Sequence, residues 1–244
     1  SYSMDIYSSL FLNFDYLLIL DSIKKKTDFL PAFMHTKNIN LIDSKINHKL
    51  ILTSCNIIAL SGDSGSGKTT LMKELEYLFN NDVLKIEGDR YHKWERGDKN
   101  WNRYTHLNPE ANHISKFSND VYDLKIGNDI YQVDYDHSNG KFTEIQQLKN
   151  KKNIILCGLH TLIDSDTNKL FNLKIFLNPD EKLRRYWKIK RDISKRNYKL
   201  NKVLESINVR LEDSNKFIKP QLNESDIVIR FFTNKNFDYL DINS

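Results

Sequence analysis

The chain has 244 residues, 39% hydrophobic and 28% charged, with 37 lysines and arginines against 32 acids and a formal charge of +5. This composition suits one globular domain with room for an appendage and excludes a disordered or collagenous chain. The charge is unevenly placed: ten cations and a single acid, Asp192, fall between 182 and 202, so the remainder is slightly acidic.

Residues 1–50 read as an N-terminal extension. Within it, 10–20 (LFLNFDYLLIL) predicts a buried helix. The run is too short for a bilayer, is broken by Asn13 and Asp15, and has no basic leader, so neither a membrane span nor secretion is expected. The domain expected to carry function is 51–244. It opens with 56–60 (NIIAL), an apolar run predicting a buried strand. After a glycine-rich turn, Leu71, Leu75, Leu78 and Phe79 recur at the spacing of a core-facing helix. Further strands are predicted at 83–86, 153–157, 173–177 and 227–232, with helices at 181–196 and 201–217. Alternating strands and helices predict an α/β fold with a mainly parallel sheet. Cys55 and Cys157 stand far apart without metal-ligand spacing, which argues against a zinc site and fits a reducing cytoplasm.

Gly62-Asp63-Ser64-Gly65-Ser66-Gly67-Lys68-Thr69 matches G-x-x-x-x-G-K-[ST] without a gap, between a predicted strand and a predicted helix. Glycines let successive N–H groups turn inward around a phosphate, and the following helix adds its positive end. In such a loop Lys68 reaches the β- and γ-phosphates and the Thr69 hydroxyl ligates Mg2+. The expected nucleotide-binding set therefore runs from Gly62 to Thr70. The competing reading is a turn that merely joins strand to helix.

Past the second predicted strand comes 87–96, EGDRYHKWER. A carboxylate at the carboxyl end of a parallel strand faces the same crevice as the phosphates, so Asp89 suits a general base. It equally suits a loop aspartate capping the next helix.

GDSGSGKTT, EGDRYHKWER, THLNPEANH (105–113), YDHSNG (135–140), CGLH (157–160), KIKRDISKRNY (188–198) and FIKPQ (217–221) follow one another in an order that resembles the phosphoribulokinase/uridine kinase family, closer to its phosphoribulokinase branch. The resemblance covers about 56–232. It implies a P-loop, nucleoside-monophosphate-kinase-like α/β fold that moves the γ-phosphate of ATP to a substrate hydroxyl, with Mg2+ as cofactor. Carried over by position, it makes Asp89 the catalytic base. It makes His92 and Arg96 binders of a phosphorylated sugar, and Tyr135 and His137 substrate-proximal. Arg191, Asp192 and Arg196 match a mobile lid at about 182–202, and Arg210 a further substrate-side arginine. Members of the family commonly self-associate, so a homo-oligomer is compatible with it.

There is one departure: the family carries glutamate where this chain has Cys157. A neutral thiol is a poor ligand for a hard cation, so Asp63 or Asp89 is expected to take the metal over. The alternative is a weak or altered kinase. His160 stays in register and either lines the site or is a satisfied histidine at a strand end.

The cations of 182–202 recur at helical spacing, with Arg184, Lys188, Arg191, Lys195 and Lys199 on one face and Arg185, Asp192 and Arg196 beside it. Leu183, Tyr186, Trp187 and Ile193 supply an apolar face. A solvated surface, a nucleic-acid stripe and a lid closing over a triphosphate all fit such a run. The loop upstream ranks the lid first and leaves Lys182, Lys190 and Lys202 to solvent. No aromatic-rich reader motif accompanies the charge, so nucleic acid is not expected as a partner. The main expectation is a cytoplasmic, ATP- and Mg2+-dependent kinase for a small anionic substrate such as a phosphorylated sugar or polyol. A nucleoside kinase is the nearest alternative, and an ATP-binding regulator without phosphotransfer is the alternative from another class.

Overall fold

The computed structural model describes residues 33–36 and 56–232. In chain order it holds β1 (Phe33–Thr36), β2 (Asn56–Gly62), α1 (Lys68–Leu78), β3 (Leu84–Glu87), α2 (Ile114–Lys125), β4 (Ile130–Gln132) and β5 (Tyr135–Asp136). There follow β6 (Lys141–Phe142), β7 (Gln146–Leu148), β8 (Asn153–Cys157), α3 (Ser165–Asn168), β9 (Leu173–Leu177), α4 (Glu181–Ser194), α5 (Leu200–Val209) and β10 (Ile227–Phe232). Six strands form one sheet in the order β1-β10-β9-β2-β8-β3, parallel throughout except for β1 against β10. The α/β expectation holds, and all five predicted strands are present within a residue or two of their expected ends.

The sheet is sandwiched between two apolar layers, and strand alternation assigns side chains to them. Ile58, Leu60, Ile155 and Cys157 face α1 and α4, where Leu71, Leu75 and Leu183 meet them. Ile57, Ala59, Ile154, Leu156 and Ile86 face α2, where Phe117, Val121 and Leu124 meet them. A strand buried on both faces needs an unbroken apolar run, which is why NIIAL and NIILC were readable. Each fully buried isoleucine of β2 and β8 contributes about 2 kcal/mol by leaving water.

The predicted helix at 201–217 is not one helix. α5 ends at Val209 and gives way to a short helical turn, a π-helical turn at Ser214–Ile218 and a 3-10 segment at Lys219–Glu224. The irregular stretch carries Ser214 to the Asp63 carboxylate, at 2.5 Å. Sequence reading did not find α2 or the two small hairpins of β4–β7. β1 comes from the segment read as an extension, whereas the helix expected at 10–20 lies outside the described residues. Among the described residues no helix is long and apolar enough to cross a membrane.

Candidate active site

β2, β3 and β8 end together, and the loops leaving them line a cleft of about 600 Å3. Its first component is the glycine-rich loop. Gly62, Gly65 and Gly67 all take positive φ (143°, 86° and 95°), as the inward-turned backbone demands. At Gly65 a side chain is also barred by contact: a Cβ there would lie 2.8 Å from Lys188 Cβ and 3.1 Å from Arg184 O. α4 thus rests directly on the loop. Lys68 Nζ donates to the carbonyls of Gly62 (2.8 Å) and Asp63 (2.9 Å), and burial pushes its ammonium below the usual lysine range. Ser64, Gly65, Lys68 and Thr69 line the cleft, whereas Ser66 is buried and Thr70 is exposed on the first turn of α1.

Asp63 has other business. Its carboxylate accepts from the Ser64 N–H (2.5 Å) and the Ser214 hydroxyl, and lies 3.6 Å from Arg184. Arg184 also donates to Ser64 O at 2.8 Å. Asp63 therefore latches the loop to α4 and to the π-helical turn, and is not placed to take over a metal.

Asp89 stands in the 3-10 turn Gly88–Tyr91 that follows β3. The turn is anchored from beneath, because the buried Tyr91 hydroxyl donates to Asp120 on α2 at 2.9 Å. Asp89 Oδ2 is 2.9 Å from His137 Nε2, and Oδ1 is 3.4 Å from His92 Nε2. Burial works to raise the Asp89 carboxyl, but the hydrogen bonds from His137 and His92 outweigh it and hold the group well below the usual carboxylate range. The orientation of His92 follows from its neighbour. Asn112 gives both amide protons to the carbonyls of His106 and Asn108, so its Oδ1 accepts from His92 Nδ1 at 2.8 Å.

His137 arrives on the β5–β6 turn, which Arg96 clamps. The Arg96 guanidinium donates to His137 O at 2.7 Å, and its N–H donates to Gly140 O at 2.8 Å. Arg96 lines the cleft as expected, yet much of its donor capacity is spent on the hairpin. Around these groups His92 stacks on His106 at 5.1 Å and meets Trp101 and Tyr135 edge-on. Trp101, His106 and Tyr198 all line the cleft and were not anticipated. His160 does not line it. His160 lies in an adjoining cavity of about 20 Å3, room for about one water, that shares Asp89 and His92 with the cleft.

α4 supplies the cationic wall, and its charges are buried more than a solvated run would be. Arg184, Lys188 and Asp192 are 7%, 3% and 2% exposed, whereas Lys182 and Lys202 do face solvent. Asp192 is surrounded by Lys188 at 2.6 Å, Arg191 at 2.8 Å and Arg196 at 3.6 Å. Burial brings Lys188 down to about 8 despite that partner. Asp192 therefore positions cations. Arg191, Arg196 and Arg210 reach the cleft.

The donor set bears on Mg2+. Thr69 and Asp89 offer hard oxygens in the cleft, as that ion requires, and Mg2+ normally needs only one or two carboxylates beside phosphate oxygens. Cys157 lines the same cleft, and burial pushes its thiol up to about 12, so it stays neutral. Glu87, which the sequence reading passed over, also lines the cleft. Its α-carbon is the register partner of Cys157. The signal was available: it closes a strand and sits two residues before Asp89. The site accommodates Mg2+ through oxygen ligands, with the thiol left out.

Comparison with known proteins adds to this geometry. The model of the "Phosphoribulokinase / Uridine kinase family" matches residues 57–237. A phosphoribulokinase of Synechocystis is 31% identical over 175 residues, covering 71% of this chain and 53% of that protein. A uridine kinase of Brevibacillus brevis is 33% identical over 187 residues, covering 71% of this chain and 83% of that one. Among solved structures, phosphoribulokinase from Rhodobacter spheroides aligns with a TM-score of 0.62 at 21% identity, covering 77% of this chain and 74% of that one. The chain spans about half the length of the curated phosphoribulokinases it matches.

Proposed function

The chain belongs to the phosphoribulokinase/uridine kinase family, and from that premise we propose that it is an ATP-dependent kinase that phosphorylates a hydroxyl of a small, already phosphorylated sugar or polyol. The observation that carries this reading is the position of Asp89. It sits at a strand end in the same cleft as Lys68 and Thr69, with its carboxyl held ionised and one oxygen only loosely engaged at 3.4 Å.

The loop 62–70 holds the triphosphate, with Lys68 on its terminal phosphates. Phosphoryl transfer leaves the protein mainly positioning and charge neutralisation to do, which Arg191 and Arg196 on the α4 side supply. Asp89 takes the proton of the acceptor hydroxyl as that oxygen bonds to the γ-phosphorus and the bond from this phosphorus to the bridging oxygen breaks, releasing ADP. Mg2+, bound through Thr69 and Asp89, would neutralise charge on the phosphate oxygens. His92, Arg96, Tyr135, His137 and Arg210 form the acceptor side, and its cations favour a substrate that already carries an anionic group. His160 supports that side from its adjoining cavity. The segment 182–202 acts as a lid, with its α4 half already seated on the loop. We assign the protein to the cytoplasm, where ATP and Mg2+ are supplied, and expect it to self-associate.

The test is ADP release across sugar phosphates, polyol phosphates and nucleosides. Turnover is expected with a phosphorylated sugar or polyol and not with a nucleoside. Preference for a nucleoside would transfer the assignment to the uridine kinase branch. A second reading, ATP binding without transfer, is favoured by the neutral Cys157 thiol, and it predicts nucleotide binding with no ADP from any acceptor.

A further inference from the structure

P-loop NTPases hold Mg2+ through the loop serine or threonine and an acid at the end of a neighbouring strand. In this chain β2 lies between β9, which ends in Leu177, and β8, which ends in Cys157, so neither neighbouring strand ends in an acid. The next strand outward, β3, runs parallel to β8 with Glu87 opposite Cys157. The preceding register pair, Ile86 and Leu156, points into the apolar layer under α2. By alternation Glu87 and Cys157 share the other face, the one on which α1 and Lys68 lie.

Four acids line the cleft: Glu87, Asp89, Asp192 and Glu205. Asp192 is committed to three cations and Asp89 faces two histidines. Among the described residues neither the Glu87 nor the Glu205 side chain has a hydrogen bond or ion pair, and of the two only Glu87 stands at a strand end. Glu205 lies on α5, outside the sheet.

We infer that Glu87 supplies, from the neighbouring strand, the second carboxylate of the metal site that position 157 does not provide. The inference rests on the kinase reading given above. It explains how a neutral thiol is tolerated at a strand end beside the phosphates: the negative charge has moved sideways by one strand, about 5 Å, within the same cleft.

The test is the Mn2+-induced gain in affinity for a non-hydrolysable ATP analogue, measured by calorimetry with Mn2+ and with EDTA, together with the spectrum of protein-bound Mn2+ by electron paramagnetic resonance. Glu87→Gln is expected to cut the gain roughly tenfold or more and alter the spectrum, while affinity in EDTA is kept. Glu205→Gln is expected to change neither. Cys157→Glu in the otherwise native chain is expected to add less than about twofold, because a carboxylate is already there. An undiminished gain in Glu87→Gln, equal losses in both glutamine variants, loss in EDTA as well, or a tenfold rise in Cys157→Glu overturns the inference alone. No binding of the analogue to the native protein in EDTA or with Mn2+ overturns the kinase reading, and this inference with it.

Discussion

In the proposed reading the nucleotide side of the cleft comes from one stretch of sequence, 62–69, whereas the acceptor side is gathered from 87–106, 135–142 and 188–210. The first looks self-sufficient as a motif, yet it is held from outside. Arg184, Lys188 and Ser214 close on it from parts of the chain more than a hundred residues away. The second has no compact motif but is tied by many short links, including Arg96 to the β5–β6 turn and Asn112 to His92 and His106. A contiguous motif thus fixes the chemistry of a loop, while distant residues fix its shape.

The largest expected effect tests the dependence of the loop on α4. Asp192→Asn leaves Lys188, Arg191 and Arg196 without their buried counter-ion and is expected to cost about 3–5 kcal/mol in urea unfolding. A loss confined to turnover, with stability unchanged, would make Asp192 a reactive group and not an organiser.

The acceptor side should be the acid-labile one. His160 is buried, and burial lowers its pKa from 6.5 to about 4. The unfolded chain therefore takes up this proton first, so the stability it contributes is present above pH 6.5 and is lost as pH falls towards 4. The loss by pH 4 is on the order of 3 kcal/mol. Thermal melts from pH 7 to 4 should fall less steeply in His160→Gln than in the native protein. Parallel curves would contradict the assignment.

A smaller effect separates intrinsic loop strain from the embrace of α4. Gly65→Ala and Gly67→Ala both place alanine at positive φ, at 86° and 95°. Only position 65 drives a Cβ to 2.8 Å from Lys188, the nearest atom at position 67 being 3.9 Å away. Gly65→Ala should be the more destabilising by about 1–3 kcal/mol. Equal costs would mean that α4 yields freely.

This contrast also explains what could be read in the sequence. β2 and β8 were legible because burial on both faces leaves an unbroken apolar run. α2 was not, because its inner face is only Phe117, Val121 and Leu124 amid polar residues, with the buried Asp120 among them. β4–β7 are two- or three-residue strands fixed by turns, too short to show a period. β1 depends on a partner, β10, nearly two hundred residues on. In the site, the loop and Asp89 were legible because strand ends place them. The aromatic and histidine wall was not, since His92 meets Tyr135 across more than forty residues of chain. The burial of Arg184 and Lys188 ran against the usual fate of charge runs, and the close approach of α4 to Gly65, together with the partners Asp63, Ser64 and Asp192, accounts for it.

The central claim is that Asp89 activates an acceptor hydroxyl in a cleft whose loop holds ATP. Steady-state turnover of Asp89→Asn on the best acceptor, alongside ADP affinity in EDTA, tests it most directly. Turnover is predicted to fall roughly 100- to 10,000-fold with metal-free ADP affinity retained. Turnover equal to that of the native protein would contradict it.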